Sequence, residues 1–261
     1  MMQVTVTGHF GEWLQGRNGP AGPVALVTLA CPDVALRGRA LPGPQRIQGM
    51  APRAARQFLG RLGLTLPGRV NLRAGVAPGM GCGMSTARLV ALARLAGWQG
   101  PPEALAHACI AHEGASDPLM FSAPEQMLWA SRIGEKLGPM PALPRCTLLG
   151  GFWGPALRTD PQDADFPDIG DLIDLWSRTR DLADFAQLAT ESARRCLLMR
   201  GPKADPTQAL AQELGALGYV IAHTGAARGL IFAPGHAPPD AAAHLRTAGW
   251  RHVRYLRAGL R

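Results

Sequence analysis

Apolar and polar positions alternate over residues 3–7 (QVTVT), and a β-branched run follows at 24–29 (VALVTL); both patterns predict strands. Between them lies 8–16, GHFGEWLQG, punctuated by glycine and polar at His9, Glu12 and Gln15, which reads as a loop joining two strands. Residues 31–44 continue as strand and turn, with Pro32-Asp33 marking a break, and 70–74 is a further short strand. Helical spacing takes over in 52–64, where Phe58, Leu59 and Leu62 share a face opposite arginines. Two more helices are expected at 85–96 and at 103–112, the second with Leu105, Cys109 and His112 near one face. Pro139, Pro141 and Pro144 then mark a linker, and 146–152 (CTLLGGF) starts afresh as a strand, which places a domain boundary between 144 and 145. The expected domains are 1–144 and 145–261. Beyond a loop over 155–167, helices are predicted at 168–178, at 182–199 with Asp181 as N-cap, and at 206–217 ending at Gly218. Residues 219–232 read as strand, polar glycine turn and strand, and a helix at 240–248 and a strand at 252–256 close the chain.

Composition narrows the class. A chain of 261 residues, 47% hydrophobic and 18% charged, can bury the core of one large or two small globular domains. No apolar run is long enough to span a bilayer and the start MMQVTVTGHF lacks the pattern of a signal peptide, so the cytoplasm is the expected compartment. The five cysteines (Cys31, Cys82, Cys109, Cys146, Cys196) are scattered and support neither a disulfide framework nor a zinc site. A formal charge of +8 raises the question of nucleic acid, but the basic residues are spread along the chain and no stretch interleaves them with aromatics. Nucleic acid is disfavoured as a partner, and an anionic substrate such as a nucleotide is the milder inference.

Chemistry gathers in glycine-bounded stretches. In PGMGCGMSTARLVAL (78–92) three glycines, Gly79, Gly81 and Gly83, lead into Ser85, Thr86 and a helix. Such a turn lets the backbone approach a ligand, and the helix start presents unpaired N–H groups, a combination suited to phosphate. It also occurs as a plain connection. The stretch has neither the Gly-Lys-Ser/Thr ending of a Walker loop nor GxGxxG spacing. A polar island, Glu113-Gly-Ala-Ser-Asp117, ends the second helix: Asp117 is placed either as a catalytic acid or base or as a cap for the next segment. The turn at His223-Thr224-Gly225 is either a tight hairpin or a loop over a ligand.

Taken together, these loops resemble the three signatures of the GHMP small-molecule kinases, and within that superfamily the bacterial L-threonine kinases of cobalamin synthesis. Gly8-His9-Phe-Gly11-Glu12-Trp-Leu-Gln15-Gly16, with Cys31-Pro32-Asp33, is similar to that family's Gly-Thr-Cys-Gly-Glu-Leu-Val-Gln-Gly opening and its Cys-Pro-Ile-Asp; His223-Thr224-Gly225 is similar to its Ser-His-Thr-Gly signature. The middle motif departs: Gly83-Met84 runs directly into Ser85-Thr86-Ala87, one residue short of the family pattern, and one extra residue separates Glu113 from Asp117. His9 stands where several members carry a lysine.

The resemblance implies a two-domain α/β fold, with a mixed-sheet N-terminal domain and a ferredoxin-like C-terminal domain, and transfer of phosphate from ATP with Mg2+ to a small alcohol such as L-threonine. It implies that Pro78, Gly79, Met80, Gly81, Cys82, Gly83, Met84, Ser85 and Thr86 wrap the triphosphate, that Ser85 and Glu113 meet the metal, and that Asp117 orients or deprotonates the acceptor. His9, Glu12 and Gln15, with His223, Thr224 and Gly225, would shape the acceptor pocket. Homoserine or another small alcohol as acceptor, and nucleotide binding without transfer, stand as the alternatives.

Overall fold

A computed structural model describes residues 1–157 and 159–259; the loop expected over 155–167 includes residue 158, which lies outside them. The first half runs β1 (Met2–Arg17), β2 (Val24–Leu41), β3 (Arg46–Gln48), α1 (Pro52–Arg61), β4 (Arg69–Ala74), α2 (Met84–Leu95), α3 (Pro102–Glu113), β5 (Met127–Ala130) and β6 (Glu135–Pro139). The second runs β7 (Cys146–Phe152), α4 (Gly170–Arg178), α5 (Leu182–Arg200), α6 (Thr207–Glu213), β8 (Gly218–Ile221), β9 (Ala227–Phe232), α7 (Ala241–Thr247) and β10 (Arg251–Ala258). One sheet takes the order β10-β7-β9-β8-β1-β2-β4-β3, with β5 added on β2 and β6 on β5. The last four strands have the order and β-α-β-β-α-β connectivity of a ferredoxin-like unit. The two groups of strands meet where Glu12 of β1 pairs with Ile221 of β8.

The expected loop at 8–16 is instead the middle of β1. Phe10, Trp13 and Leu14 are at most 1% exposed, so the apolar burial gained by pairing between β2 and β8 outweighs the turn preference of the glycines. Phe10 meets Phe152 at 5.5 Å and Trp13 meets Trp176 at 5.8 Å between ring centroids, tying β1 to the second half of the chain. Gly11 is needed here: its φ is +76°, and a side chain would start 2.9 Å from the Ile221 carbonyl oxygen. Pro32-Asp33 does not end its strand either. Thr7 pairs with Ala35 and Gly8 with Cys31, so residues 32–34 form a bulge in β2, a place where proline's missing N–H costs no ladder bond.

Further expectations shift. The helix expected to run to 217 stops at Glu213, since the first left-handed glycine after it is Gly215 (φ +64°), ahead of Gly218. Strands β3, β5 and β6 were not legible, and β6 occupies part of the stretch taken for a linker. Asp181 caps α5 as expected, accepting from Ala183 N at 2.8 Å. Helix α2 is buried nearly all round, packed between the sheet and helices α1 and α3, which fixes its N-terminus rigidly. Among the described residues no helix is long and apolar enough to cross a membrane.

Candidate functional site

Between β4 and α2 the chain makes the glycine turn, with Gly79, Gly81 and Gly83 all left-handed (φ +78°, +83° and +68°). This alternation sends four successive carbonyls outward. Gly79 O accepts from Leu157 N (2.9 Å), Met80 O from Ala227 N (2.9 Å), Gly81 O from Gly11 N and Cys82 O from His9 N (both 3.3 Å). Among the described residues no backbone N–H from 79 to 84 is donated to another protein group. The turn therefore presents bare N–H groups, with the start of α2 behind them, to a cavity of about 520 Å3. Backbone amides at a helix N-terminus form an anion cradle.

The turn at 222–226 locks this cradle. Gly225 has φ +112°, and a side chain there would start 2.5 Å from Gly79 O and 2.6 Å from Gly81 N. We expect Gly225→Ala to displace the cradle and weaken binding of inorganic triphosphate there by roughly 10- to 100-fold, the scale of about 1–3 kcal/mol of overpacking. Gly235→Ala is the control, since Gly235 is also left-handed (φ +78°) but has nothing within 4 Å of its added carbon. Equal effects of the two changes would refute the locking role.

Of the residues expected at the site, Pro78, Gly79, Gly81 to Thr86, Glu113, Asp117, His9, Glu12, His223 and Thr224 line the cavity. Met80, Gln15 and Gly225 do not. Met80 packs on the core, and Gly225 acts through its backbone. Gln15, placed in the acceptor pocket by the resemblance, is buried and used structurally: its amide donates to Ile221 O (3.0 Å) and its backbone N–H to Ser192 Oγ (2.9 Å). Cys82 is buried, and burial pushes its thiol well above the ordinary range, so it is a neutral wall.

At the cavity's edge Ser85 Oγ donates a hydrogen bond to Glu113 Oε1, joining the first turn of α2 to the last residue of α3. A hydroxyl and a carboxylate side by side at the anion cradle are hard oxygen donors, and that donor set fits Mg2+. Thr86 Oγ1 is engaged differently, accepting the backbone N–H of Asp117 (3.2 Å) and so fixing that residue to α2.

Asp117 Oδ2 lies 3.5 Å from His9 Nε2, and His9 Nδ1 lies 3.3 Å from Glu12 Oε1. His9 and Glu12 are almost wholly enclosed. Burial disfavours the imidazolium, but the Glu12 and Asp117 carboxylates more than offset this and push His9 up to about 9. Burial likewise pushes Glu12 up to about 8 against the pull of His9. Burial would raise Asp117 too, yet the His9 charge holds it below the ordinary carboxylate range. These three side chains place ligand atoms within 4.8 Å of one another, a spacing a metal could use. A protonated His9 does not ligate, so at neutral pH the cluster is an ion pair, with Asp117 as its anion.

Because His9 and Glu12 both bind their protons more tightly in the folded chain, their contributions to stability are complete at low pH and fade upward. Glu12's is lost from about 4.5 to about 8, and that of His9 from about 6.5 to about 9. Asp117, held low, contributes above its ordinary range and loses that only in acid. Melting temperature is therefore expected to fall between pH 6 and pH 9, and Glu12→Gln, which removes one raised group and one of the carboxylates that raise His9, to flatten the fall. An identical slope in the variant would count against the cluster.

Two cavity residues escaped sequence reasoning. Arg132 and Ser131 sit in the turn between β5 and β6, and the Nε of Arg132 and Oγ of Ser131 are buried without a partner. Arg132 Nη2 lies 3.4 Å from His223 Nε2. His223 stacks on Phe166 (centroids 4.2 Å apart), and burial together with the positive Arg132 and Arg200 pushes it down to about 3, so it is neutral and accepts from Arg132. The one signal in the sequence was an apolar run, MLWA, ending in Ser-Arg.

No family model matches the sequence, and no curated protein matches it. Solved structures do. The chain superposes on the Methanococcus jannaschii mevalonate kinase with a TM-score of 0.71 at 12% identity, covering 100% of this chain and 98% of that one. It superposes on a putative homoserine kinase from Listeria monocytogenes with a TM-score of 0.66 at 15% identity, covering 98% and 96%. A 4-(cytidine 5'-diphospho)-2C-methyl-D-erythritol kinase matches at 0.54 and 23% identity over 100% of both chains. The fold is the mixed α/β fold of the GHMP kinases.

Proposed function

We propose that this protein is an ATP-dependent phosphotransferase acting on the hydroxyl of a small amino acid, with L-threonine as acceptor and O-phospho-L-threonine, a supplier to cobalamin synthesis, as product. The observation that carries the reading is the shared cavity. A cradle of bare N–H groups opens onto the same space as a carboxylate held anionic by a buried histidine. Phosphoryl transfer asks for this pairing: charge neutralisation on the phosphates and a placed acceptor hydroxyl. The division into an ATP-binding unit (1–144) and a C-terminal unit (145–261), and a cytoplasmic location, belong to the same proposal.

In this reading residues 79–85 bind the triphosphate through backbone N–H groups, and Ser85 and Glu113 hold Mg2+. The ion, when bound, neutralises phosphate charge. Asp117 accepts the hydroxyl proton at its carboxylate, and His9 keeps that carboxylate ionised and adds positive charge beside the reacting groups. Glu12, kept neutral by burial, releases its proton and ionises when the acceptor's ammonium enters beside it; Arg132 and Ser131 face the acceptor's carboxylate. Losing a hydrogen bond to a charged group costs about 1.5–3 kcal/mol. Arg132→Met is thus expected to raise KM for L-threonine by roughly 10- to 100-fold with kcat little changed. An unchanged KM would remove Arg132 from the acceptor site.

The reading as a whole is tested by ADP release from Mg-ATP with L-threonine, L-serine, L-homoserine, D-threonine and mevalonate. Turnover confined to L-threonine supports it. Turnover with homoserine or mevalonate moves the acceptor towards those of the kinases this fold resembles. ATP binding without any turnover ends it.

A further inference from the structure

A second cavity, of about 620 Å3, opens between β2, β4 and β10. Gly38 of β2 packs against Leu95 of α2, so the alternate residues Arg37 and Arg39 face away from that helix. Arg37, Arg39, Arg73 and Arg254 line the cavity. Strand register sets Arg37 directly opposite Arg73, and Arg39 opposite Asn71. Like charges in directly opposed positions destabilise a sheet. Among the described residues these four guanidinium groups make no hydrogen bond or ion pair, and the Nε of Arg254 is buried without a partner. Asp33 is the one acid in the lining, and it is already engaged by the backbone N–H and Nη2 of Arg257, both at 3.0 Å.

We propose that this cavity is a second ligand site, for a small polyanion carrying two or more phosphate groups. Guanidinium forks bind phosphate oxygens in pairs, and four of them against one carboxylate call for more than one negative charge. The volume falls in the range of small-molecule sites, about 300–1,000 Å3. No aromatic side chain lines the cavity, so it offers bases of a nucleic acid nothing to stack on.

Its back wall is shared with the glycine cradle. A side chain at Gly8 would start 2.7 Å from the Cys82 carbonyl and 3.2 Å from the Val34 carbonyl, so one residue of β1 separates the two sites. Ala74 and Gly75 line the second cavity, and Ala77 and Pro78, one residue further along after Val76, line the first. Binding at the second site does not depend on the phosphotransferase reading.

The test is calorimetric titration of the full chain with inorganic pyrophosphate, in parallel on Ser85→Ala and on Arg37→Ser/Arg73→Ser. The expected result is a salt-sensitive site that survives Ser85→Ala and is weakened at least about tenfold in the double variant. Arg73→Lys, which keeps the charge, retains most of the binding and guards against a folding defect, as does an unchanged melting temperature. Binding lost in Ser85→Ala and kept in the double variant would place pyrophosphate at the cradle alone and overturn the proposal. So would no binding at all, or capture of a single-stranded RNA without pyrophosphate.

Discussion

Asp117→Asn is expected to lower kcat by about 10² to 10⁴ while leaving ATP binding and the fold intact, the range for removing a well-placed base. The change is isosteric, and the backbone N–H of Asp117 keeps its bond to Thr86 Oγ1, so the segment stays docked on α2. What disappears is the anion facing His9 at 3.5 Å. With one of its two carboxylate partners gone, His9 drops from about 9 toward its ordinary value, and the alkaline limb of the rate profile moves down with it. A merely structural aspartate would leave kcat near that of the parent. Single-turnover rates together with a pH profile decide the matter: a variant within tenfold of the parent, with the same profile, would remove Asp117 from the chemistry.

The second large effect is on stability. Arg228 Nε pairs with Asp205 Oδ2 at 2.8 Å, the side chains being 7% and 3% exposed, and Arg228 Nη1 also donates to Gly225 O at 3.1 Å. Replacing Arg228 by Met leaves the Asp205 carboxylate enclosed with only its bonds to Thr207. Breaking such a pair costs about 3–5 kcal/mol, a large share of a stability of about 5–15 kcal/mol. Chemical denaturation should show the loss, and nucleotide binding should weaken with it, because the turn that locks the glycine cradle has lost its anchor. Arg228→Met/Asp205→Asn, which removes both charges and keeps the Oδ1 that accepts from Thr207, is expected to recover much of the stability. Failure of the double variant to recover would mean the turn contacts of Arg228, rather than its charge, carry the effect.

Local information read well wherever a segment's own periodicity matched its burial. Strands β4, β7 and β9, helices α1 to α3 and the Asp181 cap fall within a few residues of where pattern and capping place them. The glycine turn was legible as a left-handed turn running into a helix, because Gly79, Gly81 and Gly83 need the positive φ that glycine tolerates best. The misreadings share one cause. Residues 8–16 carry the glycines of a loop, yet Phe10, Trp13 and Leu14 are buried by strands and helices remote in sequence, and that burial decided the backbone. Arg132 went unnoticed for the same reason: nothing near it marks it, and His223, 91 residues away, supplies its setting.

By itself, then, the sequence determined the elements whose signal spans one turn or a few residues: helix faces, caps, left-handed glycines and the three glycine-bounded motifs. Only the tertiary structure decided what those motifs do to one another. It turned the four carbonyls of residues 79–82 outward by hydrogen bonds from Leu157, Ala227, Gly11 and His9, and brought His9 to Asp117 across more than a hundred residues. It also made Gln15 a structural residue and gathered four arginines around a second cavity. The reason is physical: backbone preference acts over neighbours, whereas desolvation and charge pairing depend on groups that meet only when the sheet has closed.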